Sequence, residues 1–288
     1  MKRNGFLIGM IIILTAMIIG IWTLYNAYYM PDESTTSSYM EVYQEIESAE
    51  ANNLIISSIN HDLVIRPSED DKIKITYFQK LQNNNEYNVV NKTITLRMTS
   101  RVESNAASSK KAIQTITVFL PADIINRLSF NSVDGNLELA NVRIRDLIFN
   151  AVNGEAALKT SSFRSMNVTS NYGDLLLEDC SFDRLYIRSQ TSPISLKMLE
   201  DLAHYTCNLS TRIGTLELNG DRVHEIVEIE GETRDEIVNV YAREGDPLRT
   251  LQIESNSGNI SLKYPIDELQ PVEPQPSGGE GNETVTVQ

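Results

Sequence analysis

Apolar residues recur at fixed offsets along the second half of the chain. Gly135, Gly154, Gly173, Ser192, Gly214, Glu236 and Gly258 serve as origins, separated by 19, 19, 19, 22, 22 and 22 residues. Two residues after the origins stand Leu137, Ala156, Leu175, Ile194, Leu216, Val238 and Ile260. Four after stand Leu139, Leu158, Leu177, Leu196, Leu218, Val240 and Leu262. Seven before stand Leu128, Leu147, Met166, Leu185, Cys207, Ile229 and Leu251, and three before is always Ser, Ala or Thr. Even offsets are the period of a strand, and a constant repeat is the signature of stacked coils that bury their inner faces on one another. A second inward side is expected nine after the origin, at Ile144, Phe163, Phe182 and Val223. Glycine at the origin is expected to serve a corner with positive φ.

Ahead of the ladder the alternating runs are shorter. Leu54–Ile56 and Leu63–Ile65 flank the turn cluster Ser57–Asp62, and Ile73–Tyr77 and Thr93–Met98 alternate. Asn83–Asn85 reads as a tight turn, and Ile113–Leu120 as a strand ended by Pro121. The expected fold is all-β: a single-stranded parallel β-helix-like solenoid preceded by β-hairpins, with one N-terminal transmembrane helix.

That helix rests on Phe6–Tyr25, a run of 20 residues without a charge. At 1.5 Å per residue it spans about 30 Å, the thickness of a bilayer's hydrocarbon core. Lys2 and Arg3 precede it and Asp32 and Glu33 follow it, so the N-terminus is expected in the cytoplasm and the rest outside. A cleaved signal peptide is the rival, but the run is long and Tyr25-Asn26-Ala27 is a poor cleavage site. The implied organisation is a cytoplasmic N-terminus (1–5), an anchor (6–27), a juxtamembrane tether (28–44), a β-repeat ectodomain (45–265) and a disordered acidic tail (266–288).

A net charge of -14 over 288 residues argues against nucleic acid as a partner. Cys180 and Cys207 fall in different columns and are expected as free thiols. His61, His204 and His224 lack metal-ligand spacing. Ser108–Lys111 matches S-x-x-K without its partner motifs, and Asp134-Gly135-Asn136 lacks the nine-residue period of calcium repeats. Glu138, Asp174 and Glu217 are outward acids, yet no signal pairs them as glycan hydrolysis would need. The expectation is therefore no catalytic residue, no metal ligand and no cofactor.

The segments FNSVDGNLEL, FNAVNGEAAL, TSNYGDLLL and ESNSGNISL share a serial S-x-x-G-[DN]-[IL]-x-L pattern. With LVIRPSEDDKIKITYF and ITVFLPADI before them, they make residues 45–265 resemble a bacterial putative-adhesin family of repeated β-strands. The resemblance implies one N-terminal anchoring helix and, for some members, a place beside cell-envelope stress systems. It brings no catalytic motif. The function expected is a membrane-anchored extracytoplasmic binding or scaffold module at the bacterial envelope. The alternatives are an accessory regulator of envelope-stress signalling and, behind it, a cell-wall glycan enzyme. Expected partners are membrane lipid, through the helix, and a cell-wall polymer or a membrane protein.

Overall fold

A computed structural model describes residues 39–80, 85–102, 113–122, 125–223, 225–227 and 236–266. The expected anchor (6–27) and most of the expected acidic tail lie outside the described residues, as do His224 and Ser108–Lys111. Among the described residues no helix is long and apolar enough to cross a membrane.

Seven strands precede the ladder: β1 (Tyr39–Glu47), β2 (Asn53–Ser57), β3 (Asp62–Pro67), β4 (Lys72–Lys80), β5 (Glu86–Val90), β6 (Thr93–Arg97) and β7 (Thr115–Leu120). The first four ladder segments give β8 (Ile125–Ser132), β9 (Leu137–Ala140), β10 (Arg143–Asn153), β11 (Ala156–Lys159), β12 (Ser162–Tyr172), β13 (Leu175–Cys180), β14 (Arg184–Ser189) and β15 (Ile194–Met198). After a one-turn 3-10 helix at Leu202–His204 come β16 (Thr206–Thr211), β17 (Leu216–Leu218), β18 (Asp221–Val223), β19 (Glu225–Val227), β20 (Glu236–Arg243), β21 (Thr250–Ser255) and β22 (Ile260–Lys263). β-structure thus begins at Tyr39, inside the stretch read from sequence as tether.

The strands form two sheets of 11. Each coil contributes one strand to each sheet, turns at the origin, and returns through a second tight corner. At about 4.8 Å per strand each sheet extends roughly 48 Å. Along the stack, Leu137, Ala156, Leu175, Ile194, Ile260 and Leu216 form one column, in register through parallel pairs. All six are buried, as are the six residues four after the same origins. The opposite sheet supplies the column seven before and another five before, in which the rings of Phe130 and Phe149 stack with centroids 5.8 Å apart. Parallel strands buried on one face against another sheet need this constancy of inward residues, because a slip of one residue would turn the apolar set outward.

The ladder differs from the expectation in three places. Spatial order is not sequence order: β21–β22 lies between β14–β15 and β16–β17. The segment with the 3-10 helix carries the chain past one layer, and the returning strands fill it. The Glu236 segment is not a coil, since β20 runs antiparallel to β16, pairing Thr211 with Asn239. An antiparallel strand does not repeat the corner, so the origin position needs no glycine there. Val223, expected inside, sits in β18, which folds back on β17 at the end of the stack and leaves Val223 only half-buried.

The segment read as leading hairpins is mostly solenoid. β2 and β3 are in different sheets and stack in parallel on β8 and β9, with Leu54 opposite Leu128 and Leu63 opposite Leu137. β6 and β7 stack in parallel on their other side. The parallel stack therefore has eight coils among the described residues, six from the ladder and two from this leader. Hairpin pairing does occur between β5 and β6, where Asn91 and Lys92 both adopt left-handed φ (51° and 60°), the geometry of a tight two-residue turn. β4 and β5 belong to different sheets, and the turn expected at Asn83–Asn85 lies, but for Asn85, outside the described residues.

The glycines serve close approach. Of the five origin glycines only Gly173 has positive φ (113°). A Cβ on Gly135 would lie 2.1 Å from the His61 carbonyl oxygen, one on Gly154 2.5 Å from that of Gly135, and one on Gly173 2.6 Å from that of Gly154. Positive φ belongs instead to the opposite corner, at Asn141, Thr160, Asp179 and Asn219. The small residue three before the origin is a hydrogen-bonding group. Ser189 accepts the Ser192 N–H (2.9 Å) and Ser255 the Gly258 N–H (2.8 Å), while Thr211 donates to the Gly258 carbonyl (2.8 Å). One after the origin, Asp62 accepts the Asn136 N–H, Asn136 the Glu155 N–H and Asn259 the Thr215 N–H, each at 2.9 Å. These bonds account for the S-x-x-G-[DN] pattern. They satisfy backbone donors that a buried corner would otherwise orphan.

His61 occupies the origin of the β2–β3 coil. It is 1 % exposed, its Nδ1 has no partner among the described residues, and burial pushes its pKa down from 6.5 to about 4.

Two measurements test this account. Gly154→Ala forces a methyl against the Gly135 carbonyl and should cost about 1–3 kcal/mol in denaturant unfolding, while Glu155→Ala next to it stays within about 0.5 kcal/mol. Equal effects would show that the corner tolerates a Cβ. His61 predicts the pH dependence. The unfolded chain binds a proton below about pH 6.5, and the folded one only near 4. The contribution is therefore fully present above 6.5 and fades as pH falls towards 4, a loss of up to about 3 kcal/mol. His61→Gln should flatten stability in that window; an unchanged pH profile would refute the buried neutral state.

Candidate functional site

Among the described residues, the acids weighed from sequence stand apart. Glu138 and Glu217 stand in one outward column, but five strand steps separate β9 from β17, about 24 Å at 4.8 Å per step. Carboxylate pairs in glycosidases stand about 5 to 9.5 Å apart. Glu138 pairs with Arg66, and Glu217 with Arg222 at 3.5 Å. Asp174, at the β12–β13 corner, gives only its backbone carbonyl, to the Ala156 N–H (2.9 Å). Asp134 accepts from Asn153 (2.8 Å) and from Arg101 (2.6 Å), which occupies the carboxylate a calcium repeat would use. Among the described residues no three His, Cys, Asp or Glu side chains are grouped to hold a metal ion. Cys180 and Cys207 are buried free thiols. Burial raises both pKa values, that of Cys207 to about 12, so neither is an activated nucleophile. His204 ends the 3-10 helix.

A groove of about 430 Å³ along one edge of the prism gathers arginines from several coils. It lies where each coil turns into its long strand, eight to ten residues after the origin. Ile144, Phe163 and Phe182 point inward there and are buried, which confirms the second inward side at those three positions. Their neighbours therefore face out. Arg143 pairs in register with Ser162, and Ile144 with Phe163. Asp146 pairs with Ser165, which puts Arg145 and Arg164 at equivalent positions one coil apart. All three arginines are exposed and line the groove.

The far wall is more tightly built. Arg249 pairs with Glu200, lies 4.3 Å from the centroid of the Tyr205 ring and donates to the Tyr205 hydroxyl at 2.6 Å. Tyr205 packs on Phe182 with centroids 5.4 Å apart and donates to the Phe182 carbonyl at 3.2 Å. Desolvation is the main cause that pushes the Tyr205 pKa up to about 12, against an opposing pull from Arg249, so the phenol stays neutral and holds the guanidinium in place. Arg249 Nε is buried without a hydrogen-bond partner. Asp183 is the remaining acid on the groove.

The arginines were not singled out in the sequence, although a signal existed. Arg143, Arg145 and Arg164 fall eight, ten and ten after their origins, a basic column in an acidic chain. Arg249 could not be read there, because it reaches the groove through a strand that is inserted out of sequence order.

No curated protein matches the chain. Among solved structures, a putative cell adhesion protein from Clostridium sporogenes is similar at 15% identity and a TM-score of 0.40, over 79% of this chain and 100% of that one. A putative adhesin from Bacteroides fragilis is similar at 13% identity and a TM-score of 0.41, over 78% and 97%. A putative lipid binding protein from Parabacteroides distasonis is similar at 12% identity and a TM-score of 0.32, over 77% and 96%. The Toastrack DUF4097 family model matches residues 51–288, and the chain belongs to that family.

Proposed function

We propose that the protein is a non-catalytic binding module held at the bacterial cell envelope by residues 6–27, with its β-solenoid outside the membrane. The observation that carries this reading is a constant interior under a varied exterior. Inward positions repeat from coil to coil, while outward positions in the same strands change from Glu138 to Ala157 to Leu176 to Ser195. A face of that kind is free to be fitted to a partner without disturbing the core. Support for the anchor is the uncharged run Phe6–Tyr25 with Lys2 and Arg3 before it. The partner class is envelope material: membrane lipid for the helix, and a wall polymer or a membrane protein for the solenoid.

Two experiments check the two halves of the proposal. With tags on both ends, protease added to intact protoplasts should remove the C-terminal tag and spare the N-terminal one; protection of both would place the solenoid inside. Detergent-solubilised full chain should co-sediment with purified wall sacculi or with envelope membrane proteins in mixed micelles. A chain that stays in the supernatant in both cases is not a binding module for the envelope.

A further inference from the structure

We infer that the edge groove binds a phosphoryl group carried on a small polyol or sugar unit. This deepens the binding-module reading and rests on it. The first argument is charge. Arg143, Arg145, Arg164 and Arg249 set four cations against two carboxylates, Asp183 and Glu200, which leaves +2 on the groove of a chain whose total is -14. Arg249 is held by Glu200, but Arg143, Arg145 and Arg164 make no ion pair among the described residues. Asp146 follows Arg145 in the strand and makes none either.

The second argument is register. Arg145 and Arg164 stand at equivalent positions of parallel neighbours, about 4.8 Å apart along the stack, and Arg143 is two residues from Arg145 on the same face. Like charges so placed destabilise a sheet. Where like charges meet elsewhere, as at Lys197 and Lys263, a carboxylate stands by: Lys197 pairs with Asp179 at 3.0 Å. Lys159 likewise pairs with Glu178 (2.8 Å) and Arg188 with Glu254 (3.0 Å). The three groove arginines have no such partner among the described residues, and a bound dianion would offset the repulsion.

The third argument is the donor set. Guanidinium forks bind phosphate oxygens bidentately, and Ser162 adds a hydroxyl donor in the groove wall. Arg249 is already oriented by Tyr205 and Glu200, so little ordering remains to be done on binding. A volume of about 430 Å³ takes more than a bare phosphate and leaves room for a polyol or sugar unit beside it.

The test uses the full chain in non-ionic detergent. Inorganic phosphate, glycerol 3-phosphate and mixed micelles containing phosphatidylglycerol are titrated, with calorimetry and melting temperature as readouts. Glycerol 3-phosphate should bind saturably and more weakly as salt rises. Arg145→Gln and Arg164→Gln should each weaken it about tenfold, whereas Arg188→Gln, outside the groove on the same sheet and paired with Glu254, should not. Arg164→Gln should also raise the melting temperature without ligand and reduce the ligand-induced rise, a pair of signs that a misfolded variant would not give. Binding of the soluble ester alone assigns the ligand to a free or polymer-borne phosphate, and binding of the micelles to a lipid headgroup; either result upholds the site. Absence of saturable binding by all three probes at millimolar concentration overturns it, as does equal weakening by Arg188→Gln. If sedimentation with envelope material persists while phosphate binding is absent, only this inference fails; if both are absent, the binding-module reading fails with it.

Discussion

The contact on which the stack depends is the approach of one corner to the carbonyl oxygen of the next. Coils spaced at about 4.8 Å leave little room for a side chain where the chain turns from one sheet to the other, and of the described origins in the stack only those at His61 and Ser192 carry one. A Cβ on Gly258 would sit 1.9 Å from the Ser192 carbonyl oxygen and one on Gly214 2.2 Å from that of Gly258. Ser and Thr three residues earlier and Asn or Asp one residue later then supply the hydrogen bonds that the tight corner denies to its own backbone. With this corner fixed, the register of both sheets follows, and with it the alignment of every inward column. The same rigidity aligns the outer residues into columns, so that a basic residue recurring once per coil becomes a concentrated charge.

That consequence separates the groove from the rest of the surface. An exposed ion pair contributes little to stability, about 0–1 kcal/mol, yet many surface cations of the described chain stand beside a carboxylate. Lys72 with Glu45, Lys74 with Asp70 and Lys197 with Asp179 follow that arrangement. Three arginines left together on one edge, in a chain rich in carboxylates, are an exception that packing does not require, because their positions are solvent-facing. The buried support behind them, Phe182 against Tyr205 and Tyr205 against Arg249, gives the edge a firm backing.

Much of this was legible in the residues because parallel stacking repeats a chemical requirement at a fixed interval. Origins, inward columns and small corner residues were readable for six coils. The β2–β3 coil was missed because His61, not glycine, holds its origin and its neighbour in the stack begins 74 residues later, at Leu128 opposite Leu54. Periodicity in sequence cannot show a layer inserted out of order, so β21–β22 was placed last rather than between β14–β15 and β16–β17. The Glu236 segment fitted the interval by spacing alone. Val240 alternates equally well in a parallel and an antiparallel strand, and only the absence of glycine hinted at the difference. The groove stayed hidden for a related reason: its far wall comes from Arg249 and Glu200, which the topology, not the repeat, brings beside Arg164.

The ends of the stack complete the physical argument. A parallel coil exposes an edge in each sheet that would template another coil, so an uncapped solenoid tends to pair with its own copies. Here both ends change direction. β4 and β5 run antiparallel on β7 and β6 at one end, and β18 and β20 run antiparallel on β17 and β16 at the other. An antiparallel strand does not present the corner geometry that the next coil would need, so the repeat stops at the cap. The cap on the β7 side continues into β1, which begins inside the segment read as the tether and pairs with β4 from Tyr39 to Glu47. Strain transmitted along the chain from its N-terminal side therefore reaches a nine-residue antiparallel ladder before it reaches any coil, which leaves the register of the groove, several layers away, insulated from it.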